Sequence, residues 1–173
     1  MHARIALGIA LSVFVGLVGT AAAGSFDLGV GLGFAARTGG SGFDGGWDVQ
    51  AGFESERWSE SWDFGGQLHW LGGWNSEGDA EEDSTQMAFD SLAAYFTARP
   101  RRWWLQFKAG LVGAEVARGD DDRRGIGPAL GAGLSVGSGA FRVHILDYAH
   151  YWVAGDGFEV FSISVLVLAG GMH

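Results

Sequence analysis

Trp103 to Gly137 reads WWLQFKAGLVGAEVARGDDDRRGIGPALGAGLSVG, and the alternation within it decides the fold. Trp103, Leu105, Phe107, Ala109 and Leu111 share one parity, and Gln106, Lys108 and Gly110 share the other. Further on, Ile126, Pro128, Leu130, Ala132, Leu134 and Val136 alternate with Gly127, Ala129, Gly131, Gly133 and Ser135. Side chains alternate across a strand with period two, so each segment has one greasy face and one small or polar face. Between them Arg118–Gly125, RGDDDRRG, is expected to form a solvated loop. The unit is a hairpin standing in a membrane.

The rest of the chain repeats this unit. A first strand from Ser25 sets Phe26, Leu28, Val30, Leu32 and Phe34 against Asp27, Gly29, Gly31 and Gly33, and a glycine-rich loop, Arg37–Gly45, follows. A second, from Gly46 to about Glu56, opposes Trp47, Val49, Ala51 and Phe53 to Asp48, Gln50, Gly52 and Glu54. The third opposes Trp62, Phe64, Gly66, Leu68 and Trp70 to Asp63, Gly65, Gln67 and His69, and leads to the acidic loop Asn75–Thr85. In the fourth, Gln86–Ala98, the expected outward set is Met87, Phe89, Ser91, Ala93 and Tyr95, with Ala88, Asp90, Leu92 and Phe96 inward. A basic turn, Arg99–Arg102, joins it to the fifth. The seventh places Phe141, Val143 and Ile145 against Arg142, His144 and Leu146. Asp147 then falls on the greasy parity, which requires a bulge or an exit from the membrane. The eighth sets Phe161, Ile163, Val165 and Val167 against Ser162, Ser164 and Leu166.

Eight strands of roughly 10–13 residues are long enough to cross a bilayer when tilted. Long glycine-rich or acidic loops alternate with short turns, the asymmetry of outer-membrane barrels. The same alternation would suit a soluble lipocalin-like barrel with its apolar face inside. That barrel would show water a face of bare glycine, whereas the inverted one lets glycines line a narrow lumen and aromatics meet lipid. The expected architecture is therefore all-β, an eight-stranded antiparallel up-and-down transmembrane barrel. Trp47, Trp62, Trp70, Trp103 and Tyr95 are expected in its interfacial girdles. Asp27, Asp48, Asp63, His69, Asp90, Lys108, Arg142 and His144 are expected in a packed lumen, where charges must pair or meet trapped water. Such a network serves as a structural plug or, alternatively, as a proton or ion path.

Residues 1–23 read as a cleaved signal peptide: an apolar run Ile5–Val18, then Ala21-Ala22-Ala23 before Gly24. Residues 24–173 are left for the barrel. The formal net charge of −9 argues against nucleic acid as a partner, and the absence of cysteine removes disulfides. After the signal, no apolar run is long enough for a transmembrane helix.

Chemistry is sparse. A Ser, His and acid constellation would involve His150, but the nearest serines, Ser162 and Ser164, fall on the lumen parity and beyond hydrogen-bond reach. The acidic runs Asp120–Asp122 and Glu77–Asp83 lack calcium-loop spacing, and the G-x-G runs at Gly29 and Gly131 open no helix. No catalytic residue, metal site or cofactor is expected. The acidic loops remain able to bridge to lipopolysaccharide phosphates through divalent ions.

WWLQFKAGLVGAEV followed by GIGPALGAGLSVG resembles two strands of the OmpA-like, opacity-type outer-membrane barrels, and FRVHILDYAHYW-VAGDG-FEVFSISVLVL resembles their last hairpin. The resemblance covers most of the chain. It implies a monomeric barrel in a Gram-negative outer membrane, in contact with lipid and lipopolysaccharide, with a structural, adhesive or unassigned role. Members typically end on an aromatic residue that the outer-membrane assembly machinery recognises, and the Ala169–His173 end departs from this. A lipid A-modifying enzyme of the deacylase kind, or a small-solute channel, is the alternative on the same barrel.

Overall fold

The computed structural model describes residues 24–40, 42–55, 60–75, 86–100, 104–118, 120–138 and 141–169. Residues 1–23, the core of the acidic loop (76–85) and Trp103 lie outside them. Eight strands follow in order: β1 (Gly24–Arg37), β2 (Phe43–Ser55), β3 (Trp62–Gly73), β4 (Ala88–Pro100), β5 (Leu105–Arg118), β6 (Asp121–Ser138), β7 (Phe141–Val153) and β8 (Asp156–Ala169). Each pairs antiparallel with the next, and β1 pairs with β8 to close the barrel. Closure leaves no sheet edge, the condition for putting strands into hydrocarbon, where an unpaired backbone group finds no water.

The seam depends on glycine. A Cβ on Gly31 would run into the backbone of Ile163 and Ser164 on β8. Only a residue without a side chain lets β1 come this close.

The exterior carries Leu28, Val30, Leu32, Val49, Phe96, Leu111, Leu130, Ile145, Ile163 and Val165, all exposed. They form a band around the barrel far beyond the patches that soluble monomers leave open to water. Even β3, the shortest strand at 12 residues, exceeds the length needed to span.

Several expectations change. The run RGDDDRRG is not a loop, because β5 continues to Arg118 and β6 starts at Asp121. It stays solvated, held as strand by opposite charges facing across the ladder, Arg118 with Asp121 and Glu115 with Arg124. β2 likewise starts at Phe43, inside the expected glycine-rich loop, and Arg99 belongs to β4, not to a turn.

The faces of β4 are reversed from the expectation. Tyr95 is 5% exposed, and Met87, Phe89, Ser91 and Ala93 are buried with it, whereas Phe96 is 52% exposed. Asp90 also lies on the outside, where its Oδ1 accepts the Gly73 N–H at 3.3 Å. Both faces of this strand mix polar with apolar residues, so alternation alone does not orient it. The phenol decides: Tyr95 finds a hydroxyl partner inside, and lipid would offer none.

On β7 the bulge required by Asp147 is present. The register shifts between His144 and Asp147, so Ile145 and Leu146 both face out and Asp147 turns in, 2% exposed. Leu146, expected inward, is displaced by that same extra residue.

Candidate functional site

The lumen has two halves of opposite character. The half nearer the β4–β5 and β6–β7 connections, here the inner half, is polar. At its centre Lys108 pairs with Asp147, their side chains 0% and 1% exposed. The Lys108 Nζ also lies 4.8 Å from the centre of the Tyr95 ring, and the Tyr95 hydroxyl meets the Tyr151 hydroxyl at 3.0 Å. Gln50 Nε2 donates to Asp147 Oδ2 at 3.3 Å and to Asp48 Oδ2 at 2.7 Å, while its Oε1 accepts from Gln67 Nε2 at 2.7 Å. Asp48 in turn pairs with His69.

At the inner mouth Arg99 reaches Glu54 at 2.5 Å and Asp63 at 3.2 Å, and Arg142 reaches Glu54 at 3.4 Å. Asp27 and His144 are buried at the same end.

Of the expected lumen set, Asp27, Asp48, Asp63, His69, Lys108, Arg142 and His144 are therefore inside, and Asp90 is not. The partners that make the set a network were missed. Asp147 is hidden from strict alternation by the bulge, and Arg99 reads as part of a basic turn. Glu54 and Gln50 stood on the inward parity but were not assigned to the network.

The outer half of the lumen is apolar, which strand alternation did not reveal. Phe89, Tyr151 and Phe158 are fully buried there with Leu71, Met87 and Val112. The Phe89 ring centre lies 5.0 Å from that of Phe158 and 6.5 Å from that of Tyr151. This plug stands between the ionic network and the outer end. Asp44 fixes the rim above it, with Oδ2 accepting Phe89 N–H at 2.9 Å and Oδ1 accepting Asn75 Nδ2 at 3.0 Å.

Above the plug opens a cleft of about 650 Å³, floored by Met87 and Phe158 and walled by Arg37, Arg118, Arg123 and Asp156. Arg37 holds Asp156 at 2.7 Å, and Arg123 reaches Asp156 at 3.3 Å and Asp121 at 2.6 Å. The Arg123 hydrogen bond holds the Asp121 carboxyl below the usual carboxylate range.

Among the residues expected in the girdles, Trp47, Trp62 and Trp70 face outward and Tyr95 faces the lumen. Trp74, Trp104 and Trp152 are exposed as well.

His150 gains a partner the sequence did not reveal. Its Nδ1 lies 2.8 Å from Glu159 on β8, whose carboxylate also accepts the Tyr148 hydroxyl. Ser162 and Ser164 are 2% and 1% exposed inside the lumen, so neither serves His150 as a nucleophile.

An apolar exterior, a closed ladder and a polar interior with buried ion pairs fit one solvent only. The chain is a transmembrane barrel. Among solved structures it resembles Ail, the attachment invasion locus protein of Yersinia pestis, with a TM-score of 0.50, 15% identity and coverage of 85% of this chain and 99% of that one. A second Ail structure, in complex with the heparin analogue sucrose octasulfate, gives a TM-score of 0.49 at 16% identity, covering 85% of this chain and 99% of that one. Neisserial surface protein A gives 0.47 at 13% identity, with 83% and 96% covered. At these identities the likeness to Ail shows the fold, that of a small outer-membrane barrel, and nothing finer. No protein-family model and no curated protein matches the chain.

Proposed function

We propose that this is a small integral protein of a Gram-negative outer membrane, monomeric and non-enzymatic, whose function lies in its outer end. The observation that carries the reading is the plugged lumen beneath an open charged cleft. Phe89, Tyr151 and Phe158 pack together across the outer half of the lumen, which supports a surface over a passage. The polar half holds register and rigidity through the Lys108–Asp147, Arg99–Glu54 and Arg142–Glu54 pairs.

The non-enzymatic reading draws on the inward placement of Ser162 and Ser164, which keeps both away from His150 and Glu159. The partners proposed are outer-membrane lipid and lipopolysaccharide around the barrel and the assembly machinery that inserts it. The outer cleft is left to face the medium.

Three measurements on the protein from a purified outer-membrane fraction test this. Its gel mobility should shift between unboiled and boiled samples. Planar bilayers containing it should show no single-channel conductance, and lipid A mass spectra should be the same with and without it. Stepwise conductance or a new lipid A species would overturn the reading.

A further inference from the structure

The outer cleft holds about 650 Å³, a volume within the range of about 300–1,000 Å³ usual for small-molecule sites. Its charged wall is a chain of side chains from β1, β8 and β6: Arg37 bonds Asp156, Asp156 bonds Arg123, and Arg123 bonds Asp121. Arg118 and Asp120, from the β5–β6 hairpin, also line the cleft, so guanidiniums and carboxylates meet it in equal number.

Neither sign is used up in these pairs. Among the described residues the Arg37 guanidinium donates only from Nη2, to Asp156 Oδ1 at 2.7 Å, and keeps its other N–H groups. Arg123 gives Nε to Asp121 Oδ1 at 2.9 Å, Nη2 to Asp121 Oδ2 at 2.6 Å and Nη1 to Asp156 Oδ2 at 3.3 Å. Each oxygen of Asp121 and Asp156 accepts one of these bonds and keeps a further lone pair. The wall thus presents spare donors and spare acceptors side by side, with no net charge. Met87 and Phe158 on the floor, with half-buried Val116, add apolar surface.

We infer that this cleft binds a neutral saccharide. A sugar hydroxyl both donates and accepts, which is what neighbouring guanidiniums and carboxylates require of one partner. Two adjacent hydroxyls also span a single guanidinium or carboxylate in paired hydrogen bonds. An anion would lie against Asp120, Asp121 and Asp156, in a chain whose formal net charge is −9. A cation would lie against Arg37, Arg118 and Arg123. A peptide amide carries its donor and its acceptor on separate atoms that point opposite ways, so it does not pair with one charged group in this manner. The apolar floor suits the C–H face of a sugar ring. Glycans of the cell's own surface and those of a neighbouring cell offer the same hydroxyl chemistry.

The inference rests on the reading of the outer end as the functional surface, and its test keeps the two apart. Full-length folded barrel in nanodiscs is applied to an array of neutral, sulfated, sialylated and amino-sugar oligosaccharides, drawn from bacterial envelopes and from animal cell surfaces. Retained glycans are then titrated by calorimetry. Neutral glycans should bind, and which half of the array carries them identifies the source. Their affinity should change by less than about twofold between about 0.05 and 0.5 M salt, because no charge is neutralised on binding.

Arg37→Gln and Arg123→Gln should each weaken binding by about tenfold or more while the boiled and unboiled gel shift persists. Glu115→Gln, on the face of β5 opposite to Val116 and Arg118, should leave it unchanged. Retention of charged glycans in place of neutral ones, or of no glycan, would overturn the inference. So would neutral binding that survives both arginine substitutions. Such a result from a barrel with an intact gel shift and no conductance would overturn the inference alone. A barrel without the gel shift would refute the membrane reading beneath it, and the inference with it.

Discussion

Lys108→Met tests whether the lumen is held by paired charge. The methionine keeps the length of the lysine stem and removes the ammonium. It leaves Asp147, 1% exposed at its side chain, with the Gln50 Nε2 bond at 3.3 Å and without its ammonium partner. Breaking a buried pair by removing one partner costs about 3–5 kcal/mol, because an uncompensated charge stays behind. Replacing both partners by apolar groups of similar size is close to neutral.

The assay is urea unfolding of the barrel in lipid vesicles, followed by tryptophan fluorescence. Lys108→Met should lower the unfolding free energy by about 3–5 kcal/mol. Lys108→Met with Asp147→Leu should recover most of that loss. An unchanged midpoint in the single variant would refute the ionic network. A double variant as unstable as the single would show that packing around Lys108, and not its charge, is what matters.

Three further outcomes are expected. Gly31→Ala sets a methyl against the β8 backbone at the closing seam, so it should cost about 1–3 kcal/mol or more, read as a lower temperature for loss of the gel shift. Deletion of Ile145 removes the extra residue of the bulge and returns Asp147 to the inward parity of a regular strand, so the barrel should still fold and shift on the gel. The matching deletion of Leu130, on a regularly paired stretch of β6, exchanges the faces beyond it and should abolish folding. Asp44→Ala leaves the buried Phe89 N–H without its acceptor and Asn75 Nδ2 with only the Met87 carbonyl, at a cost of about 1–3 kcal/mol read from the urea midpoint.

Strand identity and barrel class were legible because they depend on local alternation. Leu28, Val30 and Leu32 against Gly29, Gly31 and Gly33 define two faces without knowledge of any neighbour. The glycine face makes sense only if it turns inward. Even the β7 bulge was foreshadowed, as one of two ways, with an exit from the membrane, to keep Asp147 out of lipid.

Pairing was beyond the sequence, since it depends on which residues meet across the lumen at one height. Lys108 and Asp147 are brought together by a bulge whose exact register no periodicity states. Arg99 joins Glu54 only because β4 runs further than its turn-like residues suggest, and the Phe89, Tyr151 and Phe158 plug comes from strands far apart in the chain. Orientation of β4 had the same cause: with both of its faces mixed, the Tyr151 hydroxyl across the barrel drew Tyr95 in and sent Phe96 to lipid. A strand's two faces are a property of its own residues. Which partners each face finds is a property of the closed barrel.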